Sequence, residues 1–369
     1  AIDAMRAGAF HYIPKPFKNE EVLNLVHRAA ERRALLVENL QLRNRLEGMG
    51  EMVGTSRRLE EVFELMRRAA PARSTILIEG ESGTGKELAA RAIHRLSSRA
   101  DGPFVPVHTS AIPAGLLEST LFGHVKGAFT GAVNNRKGLF EAAHNGTLFL
   151  DEVGTISAET QTKLLRVIQE REVRRVGSVE AKTVDTRLLA ATNTDLWGEV
   201  QAGNFREDLY YRLNVITIEL PPLRDRNDDI PLLTTHFLRI YNEENQREVE
   251  GFSLAAMDAL TEYCWPGNVR ELENAVERAV VLCRGNTIEL DELPQALRGE
   301  GPSAKPAAEF SPDGVDFRES VAEYQEYLIR EALSRSDGVQ RRAARMLKLS
   351  PTTLNEMIHR LGIEPAAKT

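Results

Sequence analysis

Five short apolar runs, Thr75–Glu79, Phe104–Val107, Thr147–Leu150, Arg187–Ala191 and Val215–Glu219, alternate with stretches at Glu87–Arg99, Ala158–Gln169 and Ile230–Asn242 where apolar residues recur every three to four positions. The runs predict strands and the stretches predict helices; their alternation predicts a mainly parallel sheet with helices on both faces. From Ile230 to Leu297 the strand signal stops, and a helical lid is the simplest reading. Before the sheet, residues 1–50 predict a helix, a short Phe10–Ile13 strand, a Lys15-Pro16 turn and a long amphipathic helix from Asn19 to Leu46. Val22, Leu25, Val26, Ala29, Leu36 and Leu40 form one stripe of that helix. The stripe either faces a partner or covers its own small domain before the helix runs out as a linker. Gly299 to Gly314 is rich in Gly, Pro, Ser and Ala and predicts a flexible linker. The last stretch, from Phe317, predicts short helices, and no internal repeat is found.

Composition narrows the class. With 369 residues and 42% hydrophobic content the chain can form two or three domains with ordinary cores. A formal net charge of -7 excludes a wholesale nucleic-acid coat, so any DNA contact must be local. Cys264 and Cys283 lack metal-ligand spacing and imply no disulfide framework. No run approaches the ~18 apolar residues of a membrane span, so a cytoplasmic protein without membrane contact is expected. The chain begins at Ala1 in what reads as the middle of a helix and is expected to be a piece of a longer protein.

The strongest chemical signal is Gly80-Glu81-Ser82-Gly83-Thr84-Gly85-Lys86, which follows one strand and opens a helix. In that setting the glycines let backbone N–H groups close around phosphate oxygens, and the helix N-terminus and Lys86 add positive charge. Glu87 stands where Ser or Thr usually binds Mg²⁺; a carboxylate accepts that hard cation, so ATP with Mg²⁺ is expected. The strand from Thr147 ends on Asp151 and Glu152, suited respectively to holding Mg²⁺ and to polarising an attacking water. The strand from Arg187 ends near Asn193, which either senses the γ-phosphate or, with Thr194, caps the next helix.

With these strands in place the chain resembles the AAA+ bacterial enhancer-binding proteins, the sigma-54-dependent activators, over nearly everything after Met52. The most specific element is the stretch from Ser119 through Gly127-Ala128-Phe129-Thr130-Gly131-Ala132. In that family this loop touches sigma-54; two glycines around Phe129 and Thr130 suit an apolar tip on a mobile arm. The segment Asn204–Asn214 matches the family segment carrying two arginines, so Arg206 and Arg212 are expected to reach a neighbouring subunit's nucleotide, a role worth ~10³–10⁵ in rate in related NTPases. Trp265–Asn274 matches the lid's sensor segment, with Arg270 directed at the phosphates. Family members usually carry Asn where this chain has His108, so a coupling of His108 to Glu152 is expected, with a new dependence on pH.

The ends resemble two further modules. Tyr12 and Lys15-Pro16-Phe17 are similar to the end of a response-regulator receiver, whose acceptor aspartate would lie upstream of Ala1; this implies a sensor histidine kinase as a partner of the intact protein. Residues 340–361 resemble a Fis-type helix-turn-helix. Thr352, Thr353, Asn355 and Glu356, followed by His359 and Arg360, would face the major groove, while Arg341, Arg342, Arg345 and Lys348 would hold phosphates. Dimerisation through Phe317–Leu333 would reinforce a weak monomer. The expected domains are a receiver remnant 1–30, a helical linker 31–51, an AAA+ α/β core 52–229, a helical lid 230–298, a linker 299–315 and the helix-turn-helix 316–369.

The leading expectation is an ATP-driven activator: a homo-oligomer, from dimer to hexamer or heptamer ring, that sits on enhancer DNA and opens the sigma-54 RNA polymerase closed complex. A regulator acting by occupancy alone would show no ATP turnover rising with protein concentration. A different AAA+ remodeller, such as a helicase loader, would have no use for the Phe129 loop or the terminal helix-turn-helix.

Overall fold

The computed structural model describes residues 11, 13–15, 17–19, 22–26, 28–29, 32, 49–129, 131–298, 317–336, 340–347 and 349–360. Val22 to Val26 are helical, whereas most of the long N-terminal helix, Phe10 and Tyr12 of the expected Phe10–Ile13 strand, and the 299–314 linker lie outside the described residues; His11 and Ile13 are described and are not in a strand.

The core runs α1 (Arg57–Ala69), β1 (Ile76–Glu79), α2 (Lys86–Arg95), β2 (Phe104–His108), α3 (Ala114–Phe122), β3 (Gly123–His124), β4 (Arg136–Lys137), α4 (Leu139–Ala142), β5 (Thr147–Asp151), α5 (Ala158–Glu170), β6 (Glu172–Arg174), β7 (Ala181–Thr183), β8 (Arg187–Thr192), α6 (Leu196–Gln201), α7 (Glu207–Leu213) and β9 (Ile216–Glu219). All five apolar runs join one sheet of order β2-β5-β8-β1-β9, every pair parallel. Alternation along the strands splits the core in two. Leu77, Leu148, Leu150 and Ala190 pack on one face with α3, α5 and α7. Ile76, Ile78, Phe149, Leu189 and Ala191 pack on the other with α1 and α2. Burial on both faces is why β1, β5 and β8 are continuous apolar runs. Their polar carboxyl ends, Glu79, His108, Asp151 and Thr192, stand at the edge where open α/β sheets bind ligands.

The lid comprises α8 (Ile230–Asn245), β10 (Gly251–Phe252), α9 (Leu254–Glu262), α10 (Asn268–Leu282) and β11 (Thr287–Ile288). The expectation that strands stop after Ile230 is corrected: β10 and β11 pair in parallel. Two paired residues have no periodicity to read, and the same holds for the small β3–β4 pair. Asp229, fully buried where the lid begins, accepts from Thr55 N (2.6 Å), Ser56 N (2.9 Å) and Ser56 Oγ (2.7 Å). It thereby ties the lid to the start of α1.

Residues 289–369 form a second compact unit. Its helices α11 (Phe317–Arg335), α12 (Gln340–Met346) and α13 (Pro351–Arg360) enclose Ile329, Ala332, Leu333, Ala343, Ala344, Leu354 and Ile358. Ser350 Oγ accepts from Thr353 N at 3.1 Å and so caps the start of α13.

Replacing Asp229 with Ala leaves three donors without their carboxylate. The urea midpoint should fall by the equivalent of ~2–4 kcal/mol with an unchanged slope; a loss within ~0.5 kcal/mol, typical of a surface site, would contradict this role.

Candidate nucleotide site

The loop Gly80–Lys86 links β1 to α2. Gly85 adopts φ 101° as the residue capping α2, and Gly83 adopts φ 80°. A Cβ on Gly83 would lie 2.2 Å from the Gly267 carbonyl oxygen, so only glycine lets the lid approach this closely. Lys86 is buried, and its Nζ donates to the carbonyls of Gly80 (2.7 Å) and Glu81 (2.9 Å). Burial lowers its pKa from the ordinary value. Thr84 Oγ1 donates to Glu81 O at 2.9 Å, bracing the turn. Ser82, Gly83, Gly85, Lys86 and Glu87 line a cleft of about 310 Å³ together with Asp151, Glu152 and Arg270.

The Glu81 carboxylate is occupied elsewhere. It accepts from both Arg224 nitrogens (2.6 and 2.9 Å) and from Asn268 Nδ2 (3.1 Å), and these hydrogen bonds, Arg224's first, hold its pKa down at about 2. Its side chain clamps the loop and is not among those lining the cleft.

At the end of β5, His108 bonds to Asp151, not to Glu152 as expected. Nδ1 lies 3.0 Å from Asp151 Oδ2, and Nε2 lies 3.7 Å from Glu87 Oε2. Register is the reason: the β2–β5 pairing sets His108 directly beside Asp151. Glu87 is also engaged by Arg91 at 2.6 Å, one turn along α2. Glu152 is half-buried, with a left-handed φ of 58° that places it just past the strand. Thr109 Oγ1 lies 2.8 Å from the carbonyls of both Asp151 and Glu152, pinning this end. Asn193 is exposed after β8, and the α6 cap is neither Asn193 nor Thr194 but Asp195, which accepts from Trp197 N at 3.0 Å.

Sequence reasoning missed Asn268. Fully buried at φ 54°, it donates to Ser82 O (3.0 Å) and accepts from Leu223 N (2.8 Å), while Val269 N donates to Gly83 O (3.0 Å). The lid helix α10 thus starts on the phosphate loop, and Arg270 Nη1 reaches Ser82 Oγ at 3.3 Å. A second, more apolar cleft lies alongside, lined by Val53, Leu59, Leu88, Phe237, Ile240 and Val269 among others. Its residues come from four places in the chain and share no motif, which is why only the fold reveals it.

Arg206 and Arg212 are exposed at either end of α7, and neither lines the cleft of its own chain. Arg206 pairs with Asp208 at 2.7 Å. In the Gly127–Ala132 loop, Gly127 N donates to Ala132 O (2.8 Å) and Ala132 N to Phe129 O (3.0 Å), so the loop closes on itself. Phe129 is 36% exposed and rests edge-on against His124 at 5.1 Å, and Thr130 lies outside the described residues. Ala128 sits over Gly177, in the turn between β6 and β7. That hairpin is anchored by Glu141, which accepts from Arg175 (2.7 and 2.8 Å) and Lys182 (3.0 Å).

In the second unit Arg342, Arg345, Thr353, Asn355 and Arg360 are exposed. Arg360 Nη2 donates to Gln325 Oε1 on α11 (3.0 Å), a tie within the unit. Lys348 and the side chains of Arg341, Thr352, Glu356 and His359 lie outside what the structure describes.

Fold and cleft together define an AAA+ P-loop ATPase carrying a helix-turn-helix unit. Known families agree: the sigma-54 interaction domain matches residues 52–219, the AAA+ ATPase lid domain 224–310, and the bacterial regulatory protein, Fis family, 320–358. The chain is 44% identical over 369 residues to the regulatory protein AtoC of Escherichia coli (strain K12), covering 99% of this chain and 80% of AtoC. It is 48% identical over 354 residues to the transcriptional regulatory protein ZraR of Klebsiella oxytoca, covering 96% and 78%. In structure it is similar to NtrX from Brucella abortus, crystallised in complex with ATP, with a TM-score of 0.63 at 34% identity over 98% of this chain and 79% of NtrX. The chain belongs to the sigma-54-dependent transcriptional activators.

The Glu141 anchor makes an acid prediction. Arg175's hydrogen bonds, then those of Lys182, hold its pKa down at about 2 from an ordinary 4.5. The stabilisation is fully present above the ordinary value and lost as pH falls from there toward about 2, in total about 3 kcal/mol. Subtracting the pH–stability curve of Glu141→Gln from the parent's should show this acid loss; superimposable curves would refute it.

Proposed function

We propose that this chain hydrolyses ATP in a ring of its own copies and uses the cycle to press its Phe129 loops against sigma-54. The observation that carries the reading is a cleft that gathers Lys86, Arg270, Asp151 and Glu152, while the arginines suited to trans action stand outside it on α7. Lys86 and the loop N–H groups bind phosphate oxygens, the apolar neighbouring cleft receives the adenine, and Arg270 couples the lid to the phosphates. NtrX, of similar structure, was crystallised with ATP, which supports that ligand here. The hard oxygen donors of Asp151 suit Mg²⁺, which when bound would neutralise phosphate charge; Glu87, shared with Arg91, is a weaker donor. Glu152 polarises the attacking water, Asn193 stands near the β8 end as a sensor, and Arg206 and Arg212 complete a neighbour's site. A site finished only by a second subunit makes turnover depend on assembly.

The terminal unit places this machine on enhancer DNA, with Arg342 and Arg345 on phosphates and Thr353 and Asn355 toward base edges. Lys15 and Phe17 belong, in this reading, to a receiver domain answering a sensor histidine kinase.

The reading is tested by open-complex formation on a sigma-54 promoter. Phe129→Ala should keep ATP turnover near the parent's and lose open complexes; full promoter opening by this variant would contradict the loop's role. Arg206→Ala should lower turnover by ~10³ without weakening binding of ATP to its own cleft. His108→Ala removes a competitor for Asp151, so the Mg²⁺ needed for half-maximal turnover should fall by about 3- to 10-fold, the worth of one hydrogen bond; an unaltered Mg²⁺ curve would remove the coupling.

A further inference from the structure

At the opposite edge of the sheet, beside the amino ends of β1 and β8, lies a small cavity of about 90 Å³ whose polar lining includes Arg73, Thr75, Arg99, Arg171, Asp185 and Arg187. Four guanidinium groups meet one carboxylate. Arg187 is 3% exposed, and its terminal nitrogens donate to the carbonyls of Ala69 (3.1 Å) and Ala70 at the end of α1. Its Nε is buried without a partner. Burial, then the charge of Arg99, pushes its pKa down to about 10, and among the described residues it has no ion pair. The single carboxylate belongs to Arg99, whose guanidinium bonds both the Asp185 side chain and the Asp185 carbonyl (2.8 Å). Arg73 and Arg171 are exposed, and among the described residues neither has an ion pair, although both act electrostatically on Asp185.

A buried cation with an unsatisfied donor and no counter-charge is costly, and two further unpaired cations at the rim compound the cost. We propose that this cavity binds a phosphate-sized oxyanion, held between the rim guanidinium groups of Arg73 and Arg171 above the buried Arg187. Guanidinium forks match tetrahedral oxyanions geometrically and form charge-assisted hydrogen bonds with them. The cavity opens at its rim and has room for a phosphate-sized oxyanion. The anion's source is either free phosphate, which ATP hydrolysis releases, or the terminal phosphoryl group of a nucleotide whose remainder lies outside the cavity.

The test uses the full chain carrying Lys86→Ala, which silences the cleft at the other edge. Inorganic phosphate, titrated against chloride at constant ionic strength, should raise the melting temperature saturably. Adding Arg73→Ala and Arg171→Ala should weaken that response by about tenfold or more, the worth of one charge-assisted hydrogen bond. The melting temperature in chloride should not fall, since both positions are exposed and their charges crowd Arg187; were it to drop, Arg171→Gln alone supplies the same comparison. An ADP titration separates the sources: no arginine-dependent ADP response assigns the free ion, and one matching phosphate assigns a phosphoryl group. Absence of a saturable phosphate response, or one indifferent to the rim arginines, would overturn the proposal.

Discussion

The nucleotide site depends on one close approach, that of the lid helix α10 to the phosphate loop. Gly83 has no room for a Cβ against Gly267, and Asn268 is bonded to Glu81, Ser82 and Leu223 at once. Two non-glycine residues at this junction, Trp265 and Asn268, hold left-handed backbone conformations. Such conformations persist only where surroundings over-determine them. Here a buried indole donates to Leu260 O at 2.8 Å, and a buried amide is satisfied on both ends. Loop and lid are therefore bonded directly to each other at this junction, through Asn268, Val269 and Arg270 at the start of α10.

The same junction sorts the charges. Arg224 and Asn268 take up Glu81, and Arg91 pairs with Glu87, leaving Lys86 and Arg270 beside the phosphate loop with Asp151 and Glu152 in the same cleft. Electrostatic catalysis needs its dipoles and charges fixed before the substrate arrives. The sheet provides that rigidity through five parallel strands, of which the central β5, β8 and β1 are buried on both faces, and their polar ends are carried outward as a set. Arg206 and Arg212 are the exception: they are exposed at the two ends of α7, outside this cleft, and Arg206 is paired with Asp208.

Much of this was legible in the chain itself. The central strands β1, β5 and β8 announced themselves because a doubly covered parallel strand is apolar throughout, and the P-loop because phosphate chemistry constrains glycine spacing. What stayed hidden depended on register or on distance in sequence. Adjacent carboxylates Asp151 and Glu152 are indistinguishable partners for His108 until β2 is laid beside β5. Asn268 sits beside a residue with a known motif, yet its own role arises only where α10 meets the loop. The apolar cleft that would take the base draws on Val53, Leu59, Leu88 and Phe237, which no periodicity links.

The central physical claim is that one subunit holds an incomplete catalytic site. The most direct measurement is ATP turnover per subunit across a wide range of protein concentration, with ATP saturating throughout. The account predicts a specific rate that climbs steeply as subunits assemble and then levels off. A specific rate that is constant from the most dilute sample to the most concentrated would contradict it.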